Sequence, residues 1–229
     1  MRRKILSVIL AALLLIGSRA LAERRLYEIH MNSGTGYDNL GGVAYISDTV
    51  TEGIYHVEGR VLLQNVSNEV IGYPNPTLWI YENGENVAKI PASAVTPKAT
   101  ESEGFTLFTY SAIDVKLDKS KQIEIWVSND AYIVDPKEKY LGVKAGVFEP
   151  YQLSDALRMK LDVSELSKGN YSVILIALDQ EGRFAWAEKT TVNREQKNEA
   201  TWGIEDYEVR LLKENDRMPA YMIGAVYKK

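Results

Sequence analysis

The sequence predicts an exported, all-β chain folded as an antiparallel sandwich, and three observations carry that expectation. From Leu26 onward, short runs rich in Val, Ile, Tyr and Thr alternate apolar and polar residues with a period of two. Gly, Asn, Asp and Pro separate the runs, and stretches with helical periodicity are nearly absent. A period of two sends successive side chains to opposite faces of a strand, so that one face is buried while the other stays wet.

The chain opens on Arg2, Arg3 and Lys4, continues apolar from Ile5 to Ile16, and reaches Ala20 and Ala22 on either side of Leu21. This is the layout of a signal peptide, 1–22, with cleavage expected after Ala22. Its apolar run is short against the roughly 20 residues that cross a bilayer, and no second run of that length follows. With no cysteine there is no lipid-anchoring thiol, so no membrane span is expected after cleavage and the product is secreted, cell-surface or periplasmic.

Removing Arg2, Arg3, Lys4 and Arg19 leaves 23 basic against 31 acidic side chains, a net charge of −8. No basic stripe remains, which argues against nucleic acid as a partner. About 200 residues are enough to bury a core without disulfides. The Asn-x-Ser sequons at Asn65 and Asn170 are read as chance.

The first clear strand covers 54–64, where Tyr55, Val57, Val61 and Leu63 share one face and His56, Glu58 and Arg60 the other. Strands at 77–81 and 87–90 are joined through Asn83-Gly84, which suits a tight hairpin. In 105–117 both parities are apolar, Phe105 and Leu107 on one and Phe108 and Tyr110 on the other, so this strand is expected to be covered on both sides. A strand at 122–128 follows. The polar stretch 129–139 is read as a domain boundary or long connection, and further strands are expected at 140–148, 157–161, 171–179, 184–192, 202–212 and 221–227. Between two of these, Asp162 with Glu165 can cap a helical turn that Gly169 closes. The hairpin through Gln180-Glu181-Gly182 has a first strand apolar on both faces, the mark of a central strand.

The segment "LDVSELSKGNYSVILIALDQEGRFAWAEKTTV", 161–192, resembles the last strands of bacterial extracellular immunoglobulin-like and fibronectin-like modules, with Leu166, Gly169, Tyr171, Asp179 and Gly182 at the motif positions. "HVEGRVLLQN" with "TLWIYENGENVAKI" is similar to the early strands of such a module. The resemblance implies two tandem immunoglobulin-like β-sandwiches, 23–130 and 131–229, or one larger irregular sandwich. It also implies a surface or substrate-binding role without naming a ligand.

Catalytic motifs are missing. Gly-x-Ser-x-Gly and His-Glu-x-x-His do not occur, and His30 and His56 fall at solvent-facing strand positions. The segment Gly34 to Gly42 lacks the Lys and the helix of a phosphate loop and is read as a mobile loop. Carboxylates at Glu101 and Glu103, or at Glu205, Asp206 and Glu208, could serve a glycosidase, and Asp130 with Asp135, or Asp179 with Glu181, could meet calcium. In so acidic a chain these groups are read as solvated surface, and neither a metal nor a cofactor is expected.

The aromatics are more informative, with 14 Tyr and 4 Trp. Burial is the default for Trp79, Trp126, Trp186 and Trp202. In Trp126, however, the apolar parity belongs to Ile123, Ile125 and Val127, which leaves the indole on the wetter face. Tyr73, in a Pro-held loop, and Tyr37, in the glycine-rich segment, are expected to face solvent too. Trp126, Tyr73 and Tyr37 are therefore the candidate ligand-binding residues of a non-catalytic module for an extracellular glycan or an envelope protein. A structural subunit of an envelope assembly is the alternative, with a carboxylate-based glycoside hydrolase or lyase behind it.

Overall fold

The computed structural model describes residues 24–31, 36–128, 131–134, 141–152, 158–203 and 206–228. The expected leader 1–22, Asp130 and Asp135 lie outside them, as does most of the connection expected at 129–139. The described chain is predominantly β, in mainly antiparallel sheets.

Eight strands form the first sheet: β1 (Arg24–Met31), β2 (Tyr37–Asp48), β3 (Ile54–Asn65), β5 (Thr77–Glu82), β6 (Glu85–Pro91), β7 (Ala94–Thr96), β9 (Phe105–Lys116) and β10 (Ile123–Ser128). Their order is β6-β5-β10-β1-β2-β3-β9-β7, with β1 and β10 parallel. The sheet curls over its own inner face. Ile29, Val57, Val61, Leu78, Phe108 and Ile125 meet there in one buried cluster, and Leu78 of β5 lies 3.1 Å from where Gly59 of β3 would carry a Cβ.

The second sheet adds β4 (Ile71–Gly72), β8 (Ala99–Thr100), β11 (Tyr132–Ile133), β12 (Leu141–Gln152), β14 (Asn170–Leu178), β15 (Phe184–Asn193) and β17 (Tyr221–Lys228), in the order β11-β4-β8-β12-β17-β14-β15. A small ribbon pairs β13 (Arg158–Asp162) with β16 (Glu199–Gly203). A second buried cluster joins the two sheets: Tyr45, Leu62 and Leu107 pack with Val173, Leu175, Trp186 and Val226. The expectation for β9 therefore holds, with Leu107 in one cluster and Phe108 in the other. At this joint Tyr45 stacks on Trp186, with centroids 4.7 Å apart, while Arg60 lies 4.9 Å over the same indole and pairs with Glu188 at 3.1 Å.

Three local expectations are corrected. Residues 202–212 were expected to be one strand, but β16 ends at Gly203 and helix α1 (Asp206–Glu214) follows. Lys213 in its last turn suits the helix dipole, and Leu211 and Leu212 are both buried, which a helix permits and a one-faced strand does not. The segment expected to be a mobile loop at 34–42 instead starts β2 at Tyr37. Its glycines serve geometry: Gly36 and Gly41 have φ of +88° and +136°, and a bulge sits between Asn39 and Gly41. At 162 a tight turn stands where a capped helical turn was expected: Ser164 N–H donates to Asp162 Oδ1 at 2.8 Å and Leu166 N–H to Val163 O at 3.1 Å, with Gly169 at positive φ.

Tyr227 ties the sheets together through hydrogen bonds. Its hydroxyl donates to Phe105 O at 2.6 Å and accepts from Phe105 N–H at 2.7 Å. Phe105 lies past the end of β7, which pairs with β9 only from Leu107 to Thr109, so the phenol supplies the bonds a longer β7 would have made. Tyr227→Phe should cost about 2–3 kcal/mol, because it strands two backbone groups in the interior. Burial raises the Tyr227 pKa to about 12 from the ordinary 10.0. A raised phenol pKa means that the stabilisation is fully present below pH 10 and is lost as pH climbs through 12. Urea unfolding of wild type and Tyr227→Phe should show a stability gap that is constant up to about pH 10 and narrows above it.

Candidate functional site

The outer face of β6, β5, β10 and β1 carries a row of side chains laid across the strands. Leu78 and Ile80 point inward and are fully buried, which turns Trp79 outward; Ile125 and Val127 do the same for Trp126, and Ile29 for His30. The register then aligns them: Lys89 is opposite Trp79, Trp79 opposite Trp126, and Trp126 opposite His30.

Both indoles are half-buried, while His30 and Lys89 are exposed. Lys89 Nζ stands 4.2 Å over the Trp79 ring, and the His30 and Trp126 centroids are 5.0 Å apart with planes tilted by 40°. Trp79 Nε1–H donates to Ser128 Oγ at 2.8 Å, which holds that ring in place. Polar groups border the row. Glu124 Oε1 accepts from Gln122 Nε2 at 2.9 Å, and Glu124 Oε2 lies 3.5 Å from Trp126 Nε1. Tyr81 is paired opposite Glu124, and Thr77 opposite Ser128. Beyond His30, Glu28 is ion-paired to Arg217, which also donates to Phe184 O at 3.1 Å. The face can thus offer flat rings for stacking and hydrogen-bonding groups at their edges.

Of the three residues expected at a site, Trp126 alone lies on this face. Tyr73 and Tyr37, expected to face solvent, are 3% and 6% exposed. They meet edge to face at 5.9 Å, and Tyr73 meets Phe108 in the same way at 5.3 Å. The loop that holds Tyr73 turns its exposed side outward at Pro74 and Asn75 and its ring inward. Tyr73→Ala should accordingly cost about 3–5 kcal/mol, as for any core aromatic. Trp79 was missed, although the parity that singles out Trp126 applies equally to Leu78 and Ile80.

The other candidates have local roles. Asp179 Oδ1 accepts from the N–H groups of Glu181 and Arg183 at 2.9 and 2.8 Å, and Oδ2 pairs with Arg183 Nε at 2.6 Å, so its oxygens anchor the hairpin turn. The side chains of Asp206 and Glu208 and all of Glu205 lie outside the described residues. Among the described residues no three His, Asp or Glu converge as a metal site would require. A groove of about 510 Å³ lies beside Tyr73, Lys98, Val95 and Tyr132, away from Trp126. No helix among the described residues is long and apolar enough to cross a membrane. The chain matches no family model and no curated protein.

Proposed function

We propose that the chain is an exported, non-catalytic binding module whose ligand is an extracellular glycan held on the face of β6, β5, β10 and β1. The observation that carries this reading is the cross-strand row of Lys89, Trp79, Trp126 and His30 with polar groups at its margins. A pyranose has an apolar C–H face ringed by hydroxyls, and it is matched by a flat ring bordered by donors and acceptors. On this face the strands present no aliphatic side chain between the rings, unlike the core of a typical protein interface. Export through the leader and an immunoglobulin-like sandwich architecture belong to the same proposal; the alternation of the strands supports the second.

Trp126→Ala and Trp79→Ala should each weaken glycan binding about tenfold, the order expected for losing one aromatic contact. Their far-UV circular dichroism should stay that of the wild type. Binding of the purified chain from Glu23 onward to a polysaccharide array, read by tryptophan fluorescence, checks this. Saturable binding that survives both substitutions would refute the assigned face.

A second reading, an envelope-assembly subunit, has one observation in its favour. Strand β11 is the edge of the second sheet and leaves Ile133 and Tyr132 69% and 46% exposed, a place where a partner strand could add.

A further inference from the structure

We infer that the aromatic face takes a single, uncharged, extended glycan chain laid across the strands, at least three pyranose rings long, and that Lys89 is a displaceable cap on Trp79. The inference rests on the glycan-binding reading above and adds the ligand's length, charge and form.

Length follows from the register. Trp79, Trp126 and His30 stand on three successive strands, and neighbouring strands are about 4.8 Å apart. That interval is close to the advance per sugar in an extended β-linked chain, so consecutive pyranoses meet consecutive rings. A coiled α-linked chain would leave the row after one contact.

Form follows from twist. Adjacent strands are rotated by roughly 20°, and the His30 and Trp126 planes already differ by 40°. A single soluble chain can rotate from sugar to sugar to follow such a surface, whereas a flat crystalline one cannot.

Charge follows from what borders the rings. Glu124 and Glu28 flank the row, and Arg217 is committed to Glu28. Lys89 has no ion pair with a described residue and rests on Trp79. Its ammonium covers the ring face that a sugar would use, so a ligand must lift it off, and the flexible lysine stem allows that.

The test is calorimetric titration of the full mature chain, wild type and Lys89→Gln, with soluble β-1,4-linked glucose oligosaccharides from monomer to hexamer. Pull-downs with crystalline cellulose and titration with a carboxymethylated glucan accompany it. Affinity should climb to the trimer and then flatten, and the crystalline and carboxymethylated materials should bind more weakly than the neutral oligomers. Lys89→Gln should bind about two- to fivefold more tightly, the worth of an exposed cation over an indole. Equal affinity for monomer and trimer, preference for the crystalline or anionic material, or weaker binding by Lys89→Gln would overturn the inference while leaving the binding function standing. Binding only to other glycans on the array would do the same, and binding to none would overturn both.

Discussion

Asn65→Asp should lower stability by about 3–5 kcal/mol, although it exchanges one atom and alters almost no volume. Asn65 is fully buried at the end of β3. Its amide nitrogen donates to Glu69 O at 2.7 Å and Thr100 O at 2.9 Å, and its Oδ1 accepts from Ser67 N–H at 2.9 Å and Ser67 Oγ at 2.7 Å. Every hydrogen-bonding position of the side chain is used. A carboxylate keeps the two acceptor contacts but points an oxygen at two carbonyls that have lost their donor, at about 1–3 kcal/mol for each buried group left unpaired, besides the burial of the charge. Burial without a cation raises the carboxyl's folded-state pKa. Acidification should therefore narrow the gap between variant and wild type, since a protonated carboxyl can donate again. Urea unfolding at neutral and at mildly acidic pH reads both effects, and a variant as stable as wild type would show that the amide is dispensable. The same bonds spend both amide hydrogens of Asn65 inside the fold.

Gly41→Ala should cost about 3 kcal/mol or more, with a fall in Tm of about 10 °C for a chain of this size. Two effects act together. A φ of +136° is a conformation that L side chains avoid. A Cβ there would also lie 2.5 Å from the Cβ of Phe184 on β15, an overlap that only a shift of the second sheet relieves. Calorimetry of Gly41→Ala, Phe184→Gly, which takes away the Cβ that would be met, and the double variant separates them. If the overlap matters, the double variant is less destabilised than the sum of the singles, and the residue of the effect is backbone strain. An unchanged Tm in Gly41→Ala would mean that the sheets do not meet at this bulge.

These two residues show what the sequence could and could not disclose. Strands such as β3, β9 and β14 were legible because alternation is a local property, and burial on both faces of β9 and β14 could be read from apolar residues at both parities. Residues 206–214 were misread because Val209 and Leu211 mimic a strand, while the adjacent pair Leu211 and Leu212 carried the helical signal. Tyr37 and Tyr73 were misplaced for a different reason. Exposure of a residue beside glycines or prolines depends on which way a loop folds, and that is decided by Phe108, far along the chain. At the candidate site, parity sufficed to turn Trp126 outward. That Trp79 and His30 lie beside it depends on the register of three strands, one of them parallel, and no local pattern encodes that.

The Tyr227 hydroxyl gives the fold a direction in time. The strand that carries it follows Phe105 by 122 positions, yet it completes the ladder there and shares a buried cluster with Tyr45, Leu62 and Leu107 of β2, β3 and β9. A chain emerging from its N-terminus would therefore hold the Phe105 backbone groups without these partners until β17 arrives. Contacts spanning more than a hundred residues also close slowly. Such a polypeptide stays pliable across the joint of its two sheets for as long as β17 is undocked, and stiffens there in a single late step.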